Sequence, residues 1–459
     1  MTITKISGSK LPTGLELLLT ALLVLSVNFL SWQLQIQINH NDGQGMDGVE
    51  YFNMADAIAN GQTPTARAPF VYRIGTPLLV ATFFPYDLMK GFQYINIISG
   101  SLIPFALLFW ISLYYRQRIL RLLPVLLFSL TWHSPLRLSW YYPVHSDPLA
   151  VLLLVILLII MYHLFSNANN PTKITKLMIL FAITTILGVL VREICLVPAL
   201  LYLLANIQIS KRDSTHEYNT QKFEEKSSSN FIQNYKNFFR QFRRYLPNIQ
   251  IFNKLSFIPV ILGIGTIFTI KLFVESTVSY SFAGAAFSWI YRKSVLMYVH
   301  AWLIAFGPIL FIIFIKYRTA IQFLKENKLS AYYLLIIAFM GLAGGSDTER
   351  IVFWAMPVIY LMIVRIISEN AKLFSSKLII AILGVAQIIN MRVFWAIPDY
   401  PNEFPSISPV LTPIGNKFPL LDLWTWHGDL KVNMISFAGY VMLFVIFAII
   451  TKYYERKVI

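Results

Sequence analysis

The sequence predicts an all-α, polytopic membrane protein with about twelve transmembrane helices, and three observations carry that reading. Of 459 residues, 56% are hydrophobic and only 13% are charged, with a mean hydropathy of +0.61; a water-soluble domain carries roughly a quarter charged residues. Apolar runs near 20 residues recur from end to end, each long enough to span about 30 Å of hydrocarbon. The basic residues fall between those runs in a regular alternation.

The predicted spans lie near 15–32, 94–115, 119–133, 147–165, 174–191, 194–209, 255–274, 294–315, 329–344, 351–368, 377–397 and 433–451. The first run, Leu15–Trp32, is long and lacks a small-residue cleavage pattern, so it reads as a retained span. Residues 74–89 form a short apolar piece interrupted by Pro77 and Pro85, which suits a re-entrant or interfacial segment. The whole chain, 1–459, reads as one transmembrane domain with no internal repeat.

Twelve crossings put both termini on one side. The segments assigned to that side hold 26 of the 38 Lys and Arg residues, so it is expected to be cytoplasmic. Acids partition the other way, with 14 of 22 Asp and Glu outside. The net charge of +16 is therefore a topology signal, and a nucleic-acid partner is not expected. The cytoplasmic loop 209–254 ends in NFIQNYKNFFRQFRRYLP. Its aromatic stripe, flanked by Lys236, Arg240, Arg243 and Arg244, suits a basic amphipathic helix on anionic headgroups.

The polar chemistry converges on the opposite face. The first outer loop, 33–93, carries Asp42, Asp47, Glu50, Arg67 and Arg73, together with a short surface helix over 48–60 that Gly61 ends. The second loop supplies His133, Arg137, Tyr141, Tyr142, His145 and Asp147. A tight turn supplies Arg192 and Glu193. Arg292 and Lys293 follow, then GGSDTER with Asp347, Glu349 and Arg350. The last outer loop, 398–432, holds Asp399, Trp424, Trp426, His427 and Asp429.

Each has a plainer reading. Asp47 with Glu50 three residues on also fits a capping box. Asp147, followed by Pro148, also fits the start of a helix. Arg192 and Glu193 also fit a local charge pair. Trp424 and Trp426 fit belt anchors. A divalent metal is compatible with the sequence but not indicated by it, because no His-x-x-His or HExxH spacing occurs. The single Cys195 excludes an intramolecular disulfide or a cysteine cluster.

Taken together, several features resemble the GT-C class of integral membrane glycosyltransferases. They are an Asp-bearing first outer loop with a surface helix, a Tyr-Arg-x-x-x-Pro run at 72–77, and a later loop ending in Asp147 at the head of a span. The Arg192-Glu193 pair and the Gly-Ser-Asp-x-x-Arg turn at 345–350 complete the pattern. That class includes enzymes that use polyprenyl-phosphate sugars, and the resemblance implies such a donor with a glycan or glycolipid acceptor in an inner membrane. It assigns the general base to Asp47, with Asp42 and Glu50 as rivals. It assigns the donor phosphate to Arg73, Arg192, Arg350 and Arg137, and contacts to acceptor or sugar to Asp147, Glu193, Asp347, His145 and Trp426. No cofactor is implied. The first loop departs from several members in lacking an adjacent pair of acids. A lipid-linked-oligosaccharide flippase and a polysaccharide polymerase are the competing expectations.

Overall fold

A computed structural model of the chain describes residues 11–210, 248–251, 254–279, 281–394, 396–397 and 430–458. The expected amphipathic helix in 209–254 and nearly all of the loop 398–432, Trp426 included, lie outside these residues.

The described chain is mostly helical. The first half holds α1 (Gly14–Leu34), α2 (Gly48–Ala59), α3 (Gly75–Phe83), α4 (Leu88–Ser112), α5 (Arg118–Leu130) and α6 (Pro135–Tyr141). It continues through α7 (Asp147–Ser166), α8 (Pro171–Val191) and α9 (Val197–Ala205). The second half holds α10 (Phe257–Ile270), α11 (Phe282–Arg292), α12 (Val295–Phe306), α13 (Phe311–Ile315), α14 (Tyr317–Glu326) and α15 (Lys328–Ala343). It closes with α16 (Thr348–Val352), α17 (Met356–Glu369), α18 (Ala371–Phe374), α19 (Lys377–Asn390) and α20 (Leu430–Val458). Two short strand pairs interrupt them. β1 (Thr65–Ala66) runs parallel to β4 (Glu275–Ser276), and β2 (Ile207–Ser210) runs antiparallel to β3 (Asn248–Ile251).

Among the described residues, eight helical segments are long and apolar enough to cross a bilayer. The other four predicted spans fall on shorter apolar helices, at Glu193–Ala205, Lys254–Ile270, Lys328–Ala343 and Lys377–Asn390. The predicted span at 94–115 in fact starts at Leu88, where the Asp87 carboxylate caps the Lys90 amide. The segment 74–89 divides into the short helix α3 and the start of α4, with Pro85 in the break.

The core runs along the bundle axis. α7 is wedged between α4 and α8 and is buried over most of its length. α1, by contrast, keeps Leu18, Leu22, Leu25 and Phe29 exposed, as a lipid-facing helix must.

Alternate connections meet at the same end. At one end, Gln35 exchanges hydrogen bonds with the backbone of Ile397 (2.8 and 3.0 Å), and β1 pairs with β4. Arg137 joins the same end, donating to the carbonyls of Leu130, Met391 and Arg392 (2.6–2.7 Å). At the other end, Arg121 pairs with Glu16 (3.3 Å), Arg365 with Glu326 (3.5 Å), and Lys316 with Glu455.

The Glu16–Arg121 pair joins the starts of α1 and α5, and both side chains are 2% exposed. The Glu16 carboxylate also closes a capping box with Thr13, accepting from its backbone N–H (2.7 Å) and its hydroxyl (3.0 Å), and the Arg121 Nε donates to the Tyr115 carbonyl (2.6 Å). Arg121→Met should lower stability in detergent, because it leaves the buried carboxylate without its countercharge, and Glu16→Gln/Arg121→Met, which keeps a capping acceptor without the charge, should recover part of it, as read from thermal or denaturant unfolding.

Candidate functional site

A cavity of about 490 Å³ opens at the Gln35–Ile397 end of the bundle. Its polar wall comprises Asp47, Arg67, Arg73, Arg192, Glu193, Asp347 and Arg350. Its other wall is apolar and comes from α11 (Phe282, Ala286, Trp289) and α15 (Phe339, Met340, Ala343). Phe282 and Phe339 are more than half exposed, so this wall is continuous with the outer surface of the bundle.

The charged residues form two linked groups. Arg350, in the first turn of α16, sits among three carboxylates. Its Nη2 lies 3.0 Å from Asp347 and 3.4 Å from Asp47, and its Nε lies 3.1 Å from Asp147. Asp147 is buried at the head of α7 and also pairs with Arg192, whose guanidinium lies 4.5 Å from the centroid of the Trp354 ring. In the second group, Arg73 makes a two-pronged contact with Glu193 and donates to the Tyr51 hydroxyl at 3.2 Å. The Ser146 hydroxyl donates to that same Tyr51 oxygen at 3.3 Å.

Several expectations change here. Arg192 and Glu193 do not pair with each other. The chain turns sharply from α8 into a 3₁₀ segment between them, so their side chains reach different partners. Asp47 occupies the position before α2 but makes no side-chain capping bond, and Glu50 pairs instead with Arg67. The capping box is absent. Asp42 lies exposed in a left-handed turn (φ 53°) and does not line the cavity. Arg137 does not line the cavity, and three of its donors go to the backbone carbonyls of Leu130, Met391 and Arg392. Asp147 is buried behind Arg350 and Arg192, with no face on the cavity. His145 is buried too and stacks on Tyr142, with ring centroids 5.6 Å apart. Burial pushes its imidazole well below the usual range, and Arg350 and Arg192 add to that effect, so it stays neutral.

Sequence reasoning named Tyr142 among the loop residues but missed the rest of the aromatic frame. Tyr51, Phe70 and Trp354 contact the arginines and Tyr142 holds the first loop, yet aromatics are too common in this chain to stand out. It also missed the role of Lys293, whose ammonium donates to the carbonyls of Gly341 (2.7 Å) and Gly344 (3.0 Å). That clasp fixes the glycine turn that delivers Asp347 and Arg350. Burial pushes the Lys293 ammonium down to about 8, with Glu349 and Asp347 opposing.

The cavity and its frame hold four guanidiniums (Arg67, Arg73, Arg192, Arg350) against five carboxylates (Asp47, Glu50, Asp147, Glu193, Asp347). Each arginine is already paired. Asp47 has the longest of the ion-pair contacts to these arginines and a side chain that is 30% exposed. Among the described residues no cluster of His, Cys, Asp and Glu is arranged to hold a metal.

Comparison with protein-family models, with curated proteins and with solved structures returns no match for this chain. The chemistry of the cavity must therefore be read from its own residues. Burial raises the Asp47 carboxyl above its ordinary range, Arg350 opposes that, Asp347 adds to it, and Arg73 and Arg192 oppose it more weakly. Arg350→Gln should therefore move the Asp47 titration to higher pH, and Asp347→Asn should move it to lower pH. The carboxyl C=O band in infrared difference spectra, assigned by its loss in Asp47→Asn, measures both shifts.

Proposed function

We propose that the chain is a GT-C-like integral membrane glycosyltransferase, moving a sugar from a polyprenyl-phosphate donor to an extracytoplasmic glycan or glycolipid acceptor. The observation that carries this reading is the pairing of an uncapped carboxylate, Asp47, with a cavity that is arginine-lined on one side and apolar on the other. In this reading twelve spans cross an inner membrane with both termini cytoplasmic. Loops 33–93, 131–146, 271–294 and 391–432 then lie outside, around the cavity.

The proposed chemistry follows from those two walls. The polyprenyl chain lies along the apolar surface of α11 and α15, which sets its phosphate at the arginines. The acceptor hydroxyl oxygen attacks the anomeric carbon, and the bond from that carbon to the phosphate oxygen breaks. The electron pair leaves with the polyprenyl phosphate, and the configuration inverts. Asp47 takes the acceptor proton, a general-base contribution of about 10²–10⁴. Arg350 would meet the leaving phosphate by exchanging its contact with Asp47, at 3.4 Å the longest of its three. That exchange also releases the carboxylate to act as base.

Asp47→Asn should cut sugar transfer by about 10²–10⁴-fold in membranes supplied with polyprenyl-phosphate sugars, with expression and thermal stability kept. A fully active variant would remove Asp47 from the chemistry, and intact lipid-linked-oligosaccharide translocation with no transfer would favour the flippase. The topology has its own check. Cysteines at 62 and 275, both exposed, should react with an impermeant thiol reagent in intact cells, and one at 372 should not. The native Cys195 is buried and should stay silent.

A further inference from the structure

Asp147 has no face on the cavity, yet it contacts two of the arginines that line it. Its two oxygens are divided between them. Oδ1 meets Nη1 of Arg192, and Oδ2 lies 3.1 Å from Nε of Arg350. A guanidinium is planar, so a partner at one edge settles where the remaining amino groups point. Arg350, held at Nε, presents Nη2 to Asp47 and Asp347, which both line the cavity. Arg192 also lies against Trp354, 4.5 Å from the ring centroid, and its Nη2 has no partner among the described residues. The chain that carries Asp147 is itself pinned. Asn96 of α4 is buried and donates to the carbonyls of Pro143 (2.7 Å) and His145 (2.8 Å), and the Ser146 hydroxyl bonds Tyr51. Neither Asp147 oxygen bonds an amide of α7, so both are left to the arginines.

We infer that Asp147 is a positioning residue: it anchors Arg350 and Arg192 from behind, by one edge each, and so aims both at a single oxyanion in the cavity. The inference rests on the transferase reading only for the name of that oxyanion, the polyprenyl phosphate. The charge of Asp147 works against such binding, because a carboxylate behind two arginines weakens their attraction for an anion. Its contribution is orientation, and the two effects have opposite signs.

Two measurements on the purified full chain in lipid nanodiscs test it, and the first needs no ligand. Asp147→Glu keeps the charge and moves the carboxylate by one methylene. The charges that act most on Asp47 are Arg350, Asp347, Arg73 and Arg192, so displaced arginines are read in the Asp47 infrared titration. Its midpoint should move by about half a pH unit or more. An unmoved midpoint in a folded Asp147→Glu protein overturns the inference. The second measures the binding of polyprenyl phosphate carrying no sugar. Asp147→Asn removes one negative charge, so a purely electrostatic role predicts tighter binding. Lost orientation predicts binding weaker by about tenfold, the effect of losing one charge-assisted hydrogen bond. Native or tighter binding by a folded Asp147→Asn protein overturns the inference. Where Asp147→Asn does not fold, Asp147→Glu replaces it in the binding assay, and native affinity there overturns the inference. If the native chain binds no polyprenyl phosphate, the transferase reading fails, and the ligand-free titration alone decides whether Asp147 orients the two arginines.

Discussion

The Arg350 guanidinium is the constraint around which one end of the bundle closes. Asp47, Asp147 and Asp347 come from stretches a hundred or more residues apart, and all three reach the same side chain. A buried guanidinium without partners is costly, and so is a buried carboxylate such as Asp147. Satisfying both requires α7, α16 and the first loop to arrive together. Arg192 extends the network by pairing with Asp147, and Arg73 closes a second group with Glu193. These contacts tie α8 to the first loop. The whole assembly is a lattice of helix ends, not of helix middles, where charges sit near water and helix dipoles.

That lattice explains why the loops are ordered where they carry chemistry. The first loop has little core of its own beyond Tyr51, Met54, Val71 and their neighbours. It is held instead by bonds to other segments: Gly48 to Tyr142, Arg73 to Glu193, and β1 to β4. The glycine turn before α16 depends in the same way on Lys293. Long connections normally carry little order by themselves. Here each borrows rigidity from an ion pair or a buried aromatic. The apolar wall of α11 and α15 needs no such fixing, since it presents itself to lipid.

The paired state of every arginine shapes the proposed chemistry. A phosphate cannot simply fall into an empty cationic pocket, because none of the four guanidiniums around the cavity is unengaged. It has to exchange with a carboxylate, and the exchange is easiest where the existing contact is longest and most open. That place is Arg350 with Asp47. In the proposed reaction, donor arrival and base release would then be one event.

The sequence by itself determined the helical, membrane-spanning character, the rough positions of the apolar helices and the alternation of basic and acidic connections. Those properties are local or summed along the chain, so periodicity, length and charge reveal them. It also singled out Asp47, Arg73, Arg192, Glu193, Asp347 and Arg350, because ionisable residues are conspicuous in a chain so poor in them. Only the tertiary structure decided the partners. Arg192 and Glu193 are adjacent yet serve different groups, Arg137 is spent on backbone carbonyls, and Asp42 stays in solvent. Asp47 makes no side-chain bond to its own helix, and the Gly48 amide beside it is held by a phenol 94 residues away. Which donor meets which acceptor is set by the packing of helix ends, and no spacing along one strand of sequence encodes that distance.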